Sequence, residues 1–485
     1  MASYEFGFDD FQNLGCHHLE DGKSVLIAAP TGAGKTIIGE FATFLAEKNG
    51  NRCFYTTPIK ALSNQKYQDL VKLYGDSEVG LLTGDSSINS EARIVVMTTE
   101  VLRNMIYAGS DAIEDLGYVV MDEVHYLADK FRGAVWEEIL IHLPERIQIV
   151  SLSATVSNAE EFGDWLKTVR GETEVVLSEI RPVPLYQHIL IGNRILDLFV
   201  DEGRVNPEIL RIEKNSIKKV PGGSKSWKES KFSSIKSLTR PEIVEKLSER
   251  GFLPAIFFIF SRAGCDGAVL SCIREGLSLT NSLEKEEIRR VIALKTHELP
   301  SEDFGVLGFH EWAQALERGI AAHHAGLLPM FKETIEELFQ RGLLKIVFAT
   351  ETLALGINMP ARSVVLEKLV KWNGESHVNV SPGEYTQLTG RAGRRGIDVE
   401  GNALILWNEQ MDSSIAAGLA STRTYPLRSS FSPTYNMSAN LISRFGHERA
   451  RKSLGFSFAQ FQADKAVVGL ARQIAKNEMA IKTLI

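Results

Sequence analysis

The chain has 485 residues, 44% of them hydrophobic and 24% charged, and a formal net charge of −7. That length suits about three domains with ordinary cores, and the acidic balance excludes a histone-like coating protein while leaving room for a groove-type binder whose amides and local basic groups meet phosphate. No run approaches the roughly 18 apolar residues of a membrane span, the first residues lack a signal-peptide layout, and Cys16, Cys53, Cys265 and Cys272 show no metal-type spacing, so a reducing, cytoplasmic setting away from membranes is expected.

From Ser24 to about Val183, short apolar runs alternate with helix-like stretches. Val25-Leu26-Ile27, Cys53-Phe54-Tyr55, Ile94-Val95-Val96, Tyr118-Val119-Val120 and Ile147-Gln148-Ile149-Val150 read as buried strands. This alternation predicts an α/β fold built on a doubly wound parallel sheet. Ala29-Pro30-Thr31-Gly32-Ala33-Gly34-Lys35-Thr36 follows the first strand and opens a helix, which is the context of a phosphate loop. Thr31, Gly32, Ala33 and Gly34 supply backbone N–H groups to phosphate. Lys35 reaches the β and γ oxygens, and the Thr36 hydroxyl joins a metal ion. Ala29 replaces the usual first Gly, a known variant.

The run Gly117-Tyr118-Val119-Val120-Met121 delivers Asp122-Glu123-Val124-His125 to a strand's carboxyl end, where open α/β sheets hold their ligands. Asp122 is placed to hold Mg2+, and Glu123 to polarise an attacking water. Ser153-Ala154-Thr155 follows the next strand. Two readings stand for its hydroxyls: they bond His125 and relay nucleotide state, or they cap the following helix.

Between Gly203 and Arg240 ten Lys/Arg face three Glu, with seven Ser and the breaker Pro221-Gly222-Gly223. This reads as a solvated linker. A second α/β unit follows, with candidate strands at Ala255 to Phe260, Leu344 to Ala349, Ser363 to Leu366 and Asn402 to Trp407. Leu366 to Trp372 and His377 to Val380 flank Asn373-Gly374-Glu375-Ser376, a hairpin signal. Trp372 near its tip either wedges between bases or belongs to a hairpin packed on its own domain. Adjacent His323 and His324 point apart, and no second ligand pair lies at metal spacing, so zinc is rejected. In Gln387-Leu388-Thr389-Gly390-Arg391-Ala392-Gly393-Arg394-Arg395-Gly396 the arginines at 391 and 394 are three apart, which on a helix start faces them together. Two readings stand: guanidinium groups supplied from a second domain can neutralise charge on a transferring phosphoryl group, or the segment is a phosphate-free basic loop. Beyond Ser421 the pattern turns helical and runs to Ile485 within it, as expected of an incomplete last domain.

Taken in this order, the motifs resemble those of superfamily 2 DExH helicases. Thr57 to Tyr67, Thr98 to Met105, Arg132 to Glu138 and Thr350 to Pro360 narrow the likeness to superkiller-type RNA helicases, above all to their actinobacterial, HelY-type branch. The resemblance covers about residues 4 to 480. It implies two RecA-like domains, at 1–190 and 241–420, around a basic linker at 191–240, with a winged-helix-like region at 421–485. ATP and Mg2+ are the implied cofactors, and Phe6 and Gln12 the adenine-stacking and adenine-reading pair. Pro58, Lys60, Thr83, Gly84, Asp85, Thr98, Thr99 and Glu100 fall in strand-contacting motifs, as do Ser261, Arg262, His323, His324, Thr350 and Glu351; such contacts are mainly to phosphate and sugar. The family's unwinding hairpin lies between Pro360 and Gln387, which favours the wedge reading of Trp372. The implied activity is ATP-driven 3′ to 5′ movement on single-stranded or 3′-tailed RNA with duplex unwinding, Glu123 activating water, Gln387, Arg391 and Arg394 serving the transferring phosphate, and His125 coupling nucleotide to strand. The implied partner is a 3′–5′ exoribonuclease. A DNA motor of the same superfamily and an ATP-switched RNA clamp are the alternatives.

Overall fold

The computed structural model describes residues 7–130, 132–201, 203–217, 237–354, 359–373, 375–408, 411–422 and 424–465. Phe6, residues 218–236 of the expected linker and residues 355–358 of the Thr350 motif lie outside these. The chain divides into two compact units, Met1–Ile180 with Thr424–Ile485, and Arg181–Arg423.

The first unit is built on eight strands: β1 (Ser24–Ala28), β2 (Arg52–Thr57), β3 (Val79–Leu82), β4 (Ser87–Ile88), β5 (Ile94–Thr98), β6 (Leu116–Met121), β7 (Gln148–Ser153) and β8 (Thr173–Leu177). Their order is β4-β3-β5-β2-β6-β7-β1-β8, parallel except where β4 runs against β3. Alternate residues of the same strands enter two different cores. Leu26, Phe54, Val95, Val119 and Ile149 enter one, and Val25, Tyr55, Val96, Val120 and Val150 the other. Burial on both faces is why these strands read as continuous apolar runs rather than as alternating ones.

The second unit holds β9 (Leu185–Ile191), β10 (Arg194–Asp197), the small hairpin β11 (Phe199–Asp201) and β12 (Arg204–Val205), β13 (Ala255–Phe258), β14 (Ile320–His323), β15 (Ile346–Ala349), β16 (Ser363–Leu366), β17 (Val370–Trp372), β18 (His377–Asn379) and β19 (Gly401–Leu406). Seven of them form a sheet in the order β10-β9-β19-β16-β13-β15-β14. The predicted hairpin is present as β17 and β18, antiparallel with Trp372 opposite His377.

Two boundaries differ from expectation. The stretch expected as linker from 191 starts with β10 to β12 and a helix at Pro207–Ile217. Ile189, Ile191, Leu198 and Ile209 bury together there, so a few apolar residues at fold-compatible spacing outweigh a charged composition averaged over the segment. The described part of 421–485 joins the first unit, where Leu427 and Phe458 are fully buried in its core.

Candidate functional site

Sheet order determines which loops meet. Strands β6, β7 and β1 are neighbours, with Met121 opposite Ser151 and Ala28 opposite Ser153. Their carboxyl ends therefore bring the acidic tetrapeptide, Ser153-Ala154-Thr155 and the phosphate loop to one edge. In the loop, Gly32 (φ +82°) and Gly34 (φ +88°) occupy left-handed backbone that glycine adopts without penalty. The helix Thr36–Asn49 begins immediately after Lys35. The Lys35 ammonium donates to the carbonyls of Ala29 (2.8 Å) and Pro30 (3.1 Å), so it lies over the loop. Gln12, fully buried, is tied to the same loop: its amide donates to Gly34 O at 3.0 Å, and its Oε1 accepts the N–H of Asp9.

Asp122 Oδ1 accepts the N–H of Glu123 at 2.9 Å, and Oδ2 accepts the Tyr55 hydroxyl at 3.0 Å. Burial, and secondarily the negative charge of Glu123, push the Asp122 carboxyl up to about 6. A cation at this edge would relieve both effects. The donors there, a carboxylate and the Thr36 hydroxyl, are hard oxygens suited to Mg2+. Glu123 has φ +55°, a left-handed conformation uncommon for a residue with Cβ. It starts the short helix Val124–Ala128 and turns the chain so that Val124 enters the core while Glu123 stays partly exposed.

His125 is buried, and its Nδ1 accepts the N–H of Ala154 at 3.2 Å. That bond requires an unprotonated Nδ1. Burial, with the charge of Lys35 in support, pulls the ring's pKa down to about 3. The 3.4 Å approach of Glu123 to Nδ1 is accordingly no ion pair. Of the two readings of Ser153-Ala154-Thr155, neither hydroxyl makes this bond to Nδ1; the intervening main chain does. Ser153 Oγ is buried without a hydrogen-bond partner among the described residues, and Thr155 is buried.

The strand-contacting residues expected in the first unit also share an edge, because β3, β5 and β2 are neighbours and Thr57 lies opposite Thr98. Thr83 bonds Asp85 at 3.1 Å, and Asp85 pairs with Lys60. Gly84 and Asp85 are exposed and Pro58 is buried. Thr99 donates to Thr57 O at 3.0 Å, and Glu100 stands 3.9 Å from Arg132, whose guanidinium also reaches Pro58 O. Thr98 is buried.

In the second unit β13, β15 and β14 are neighbours, so Ser261 and Arg262, Thr350 and Glu351, and His323 and His324 follow adjacent carboxyl ends. Ser261 caps the helix Arg262–Arg274, and Arg262 is exposed. Both histidines are buried, His323 against Glu336 (2.8 Å) and His324 against Asp266 (2.9 Å). Thr350 is buried and bonds Thr352, while Glu351 pairs with Lys371 of the hairpin, as does Glu384. Trp372 is half exposed, edge-on to His377 at 5.2 Å.

The arginine motif also needs correction. Gln387 is on the helix Pro382–Thr389, but that helix ends before Arg391, and Gly393 (φ +84°) turns the chain. Arg391 and Arg394 therefore do not share a helical face. Arg391 donates to Ala354 O at 2.5 Å. Arg394 makes a bidentate pair with Asp398, both bonds 2.8 Å. Sequence reasoning missed Asp398 and Tyr55. The only signal for Tyr55 was a hydroxyl in a buried strand, which needs a partner.

Two tandem α/β units, one with a phosphate loop and an acidic pair on a single edge, define the class of phosphate-loop nucleotide hydrolases. The pattern of the DEAD/DEAH box helicase family matches residues 9–162, and that of the helicase conserved C-terminal domain matches residues 278–396. The chain is 56% identical over 485 residues to the probable helicase HelY of Mycobacterium tuberculosis, covering 98% of this chain and 54% of the relative. It is 38% identical over 485 residues to the exosome RNA helicase MTR4 of Homo sapiens (98% of this chain, 46% of the relative). It is 40% identical over 481 residues to the superkiller complex protein 2 of Mus musculus (96% and 38%). The chain belongs to the superkiller-type family of superfamily 2 DExH helicases, and it spans about half the length of the curated relatives it matches. Among the described residues no helix is long and apolar enough to cross a membrane.

Proposed function

We propose that this chain is the motor of an ATP-dependent RNA helicase that moves 3′ to 5′ on single-stranded RNA and parts duplexes during RNA processing or decay. The observation that carries the reading is the convergence of Lys35, Asp122 and Glu123 on one sheet edge that continues into Thr57–Lys60, Thr83–Asp85 and Thr98–Glu100. RNA rather than DNA is favoured by relatives whose names state RNA helicase. The exosome and superkiller names among them support a 3′–5′ exoribonuclease as partner.

In this reading Lys35 exchanges its two carbonyl acceptors for phosphate oxygens, a charge-assisted bond replacing neutral ones. Thr36 and Asp122 would hold Mg2+, which when bound would supply positive charge against the nucleotide's phosphates. Glu123 accepts a proton from the attacking water. His125, neutral and fixed through Nδ1 to Ala154, carries an Nε2–H whose position follows the loop after β7. Gln387, Arg391 and Arg394 are the second unit's candidates for meeting phosphate charge.

Glu123→Gln keeps the side chain's shape and removes the base. We expect nucleotide binding to persist while turnover falls about 10²- to 10⁴-fold. ATPase assays with single-stranded RNA and DNA of equal length, and strand displacement on 3′- and 5′-tailed duplexes, test the rest. Equal stimulation by DNA, or release from 5′ tails only, overturns the substrate and direction.

A further inference from the structure

We propose that Tyr55 is a positioning residue for Mg2+–nucleotide, its hydroxyl fixing the Asp122 carboxylate in the orientation that meets the metal; this rests on the reading of Asp122 given above. Tyr55 lies on β2, one strand away from the acidic tetrapeptide, and its side chain is fully buried. The hydroxyl donates to Asp122 Oδ2 at 3.0 Å, while Oδ1 accepts the N–H of Glu123. A carboxylate so held cannot rotate about its Cβ–Cγ bond without breaking one of two bonds. Each oxygen nevertheless keeps a second lone-pair direction for a metal ion or its water.

The surroundings hold the phenol in turn. A Cβ on Gly39 would stand 3.0 Å from Tyr55 Cε2 and 3.3 Å from its hydroxyl, so the ring packs directly on the helix that follows the phosphate loop. Lys66 Nζ lies 5.4 Å from the ring centroid and pairs with Glu40 of that same helix at 3.5 Å. The phenol thus ties Asp122 to the element carrying Thr36. A shift of that helix is transmitted to both expected metal donors together. Groups that orient a metal ligand in this way typically change metal affinity about 10- to 100-fold when removed.

Tyr55→Phe keeps the ring and deletes only the hydroxyl. In the full chain, binding of a fluorescent ATP analogue is titrated with Mg2+, and separately measured in EDTA. We expect the half-saturating Mg2+ concentration to rise about tenfold or more, with metal-free nucleotide affinity unchanged. Asp122→Asn is the companion variant. If it shifts the Mg2+ dependence and Tyr55→Phe does not, the role of Tyr55 is overturned and the site reading stands. If neither shifts it, the site reading itself fails. If Tyr55→Phe weakens metal-free and metal-dependent binding equally, Tyr55 is merely structural and the proposal falls.

Discussion

Phe458→Ala probes how firmly the returning segment completes the first unit. Phe458 is fully buried, its ring edge-on to Phe162 (5.2 Å, 74°) and 5.3 Å from Trp165. Both neighbours belong to the helix Ala159–Arg170, whose Trp165 also donates its indole N–H to Phe456 O at 2.7 Å. Truncating a buried Phe costs about 3–5 kcal/mol, the lost transfer free energy adding to that of a poorly filled cavity. The aromatic pairs are already contained in that figure. The backbone N–H of Phe458, which donates to Glu137 at 2.7 Å, survives the substitution. Collapse of the site is limited by that anchor, so we take about 4 kcal/mol, or roughly a thousandfold in an opening equilibrium. Amide hydrogen exchange followed by mass spectrometry is the assay. Peptides from 424–465 and from 159–170 are expected to exchange roughly a thousandfold faster where opening limits exchange. Acceleration below about tenfold in these peptides refutes the reasoning.

Gly133→Ala tests the turn after the acidic tetrapeptide. A Cβ there would stand 2.1 Å from Leu127 O, 2.1 Å from Ser430 Oγ and 2.6 Å from Asp129 O, and two of these are backbone atoms. We expect a loss of about 3 kcal/mol in thermal unfolding together with lost ATPase activity, and a wild-type melting temperature contradicts this. Glu137 gives a pH dependence. It accepts from Phe458 N and from the Ser429 hydroxyl, yet burial pushes its carboxyl up to about 7. The folded state thus holds a proton that the unfolded chain has released above about pH 4.5. Stability from this group is full below that pH and is lost as pH rises through 7, by on the order of 3 kcal/mol. Glu137→Gln should flatten that part of the profile, and an unchanged slope between pH 5 and 8 rules the cause out.

Strands with both faces buried were legible because continuous apolar runs such as Tyr118 to Met121 have few other readings. β3 and β14 were not, since Gly80 interrupts one and Ala321-Ala322-His323 gives the other no bulky pattern. The phosphate loop and Asp122 were legible because their chemistry demands those residue types in that order. What holds them was not. Ala154 contributes a main-chain N–H that any residue could offer, and Tyr55 looks like another apolar strand position. The end of the helix at Thr389 depends on Gly390 and on Gly393 turning to positive φ, so spacing alone misplaced Arg391 and Arg394. Asp398 reaches Arg394 only through that turn.

The first unit is interrupted in sequence: the chain leaves it at Ile180 and returns at Thr424. A ribosome adding about 5–20 residues per second takes on the order of tens of seconds to cross that gap. During the interval Phe162, Trp165 and the Glu137 carboxylate have emerged without the residues that cover them. The nascent first unit therefore presents an aromatic, partly charged scar of the kind chaperones hold. The residues that cover it, Phe458 among them, become available only after the whole second unit has been synthesised.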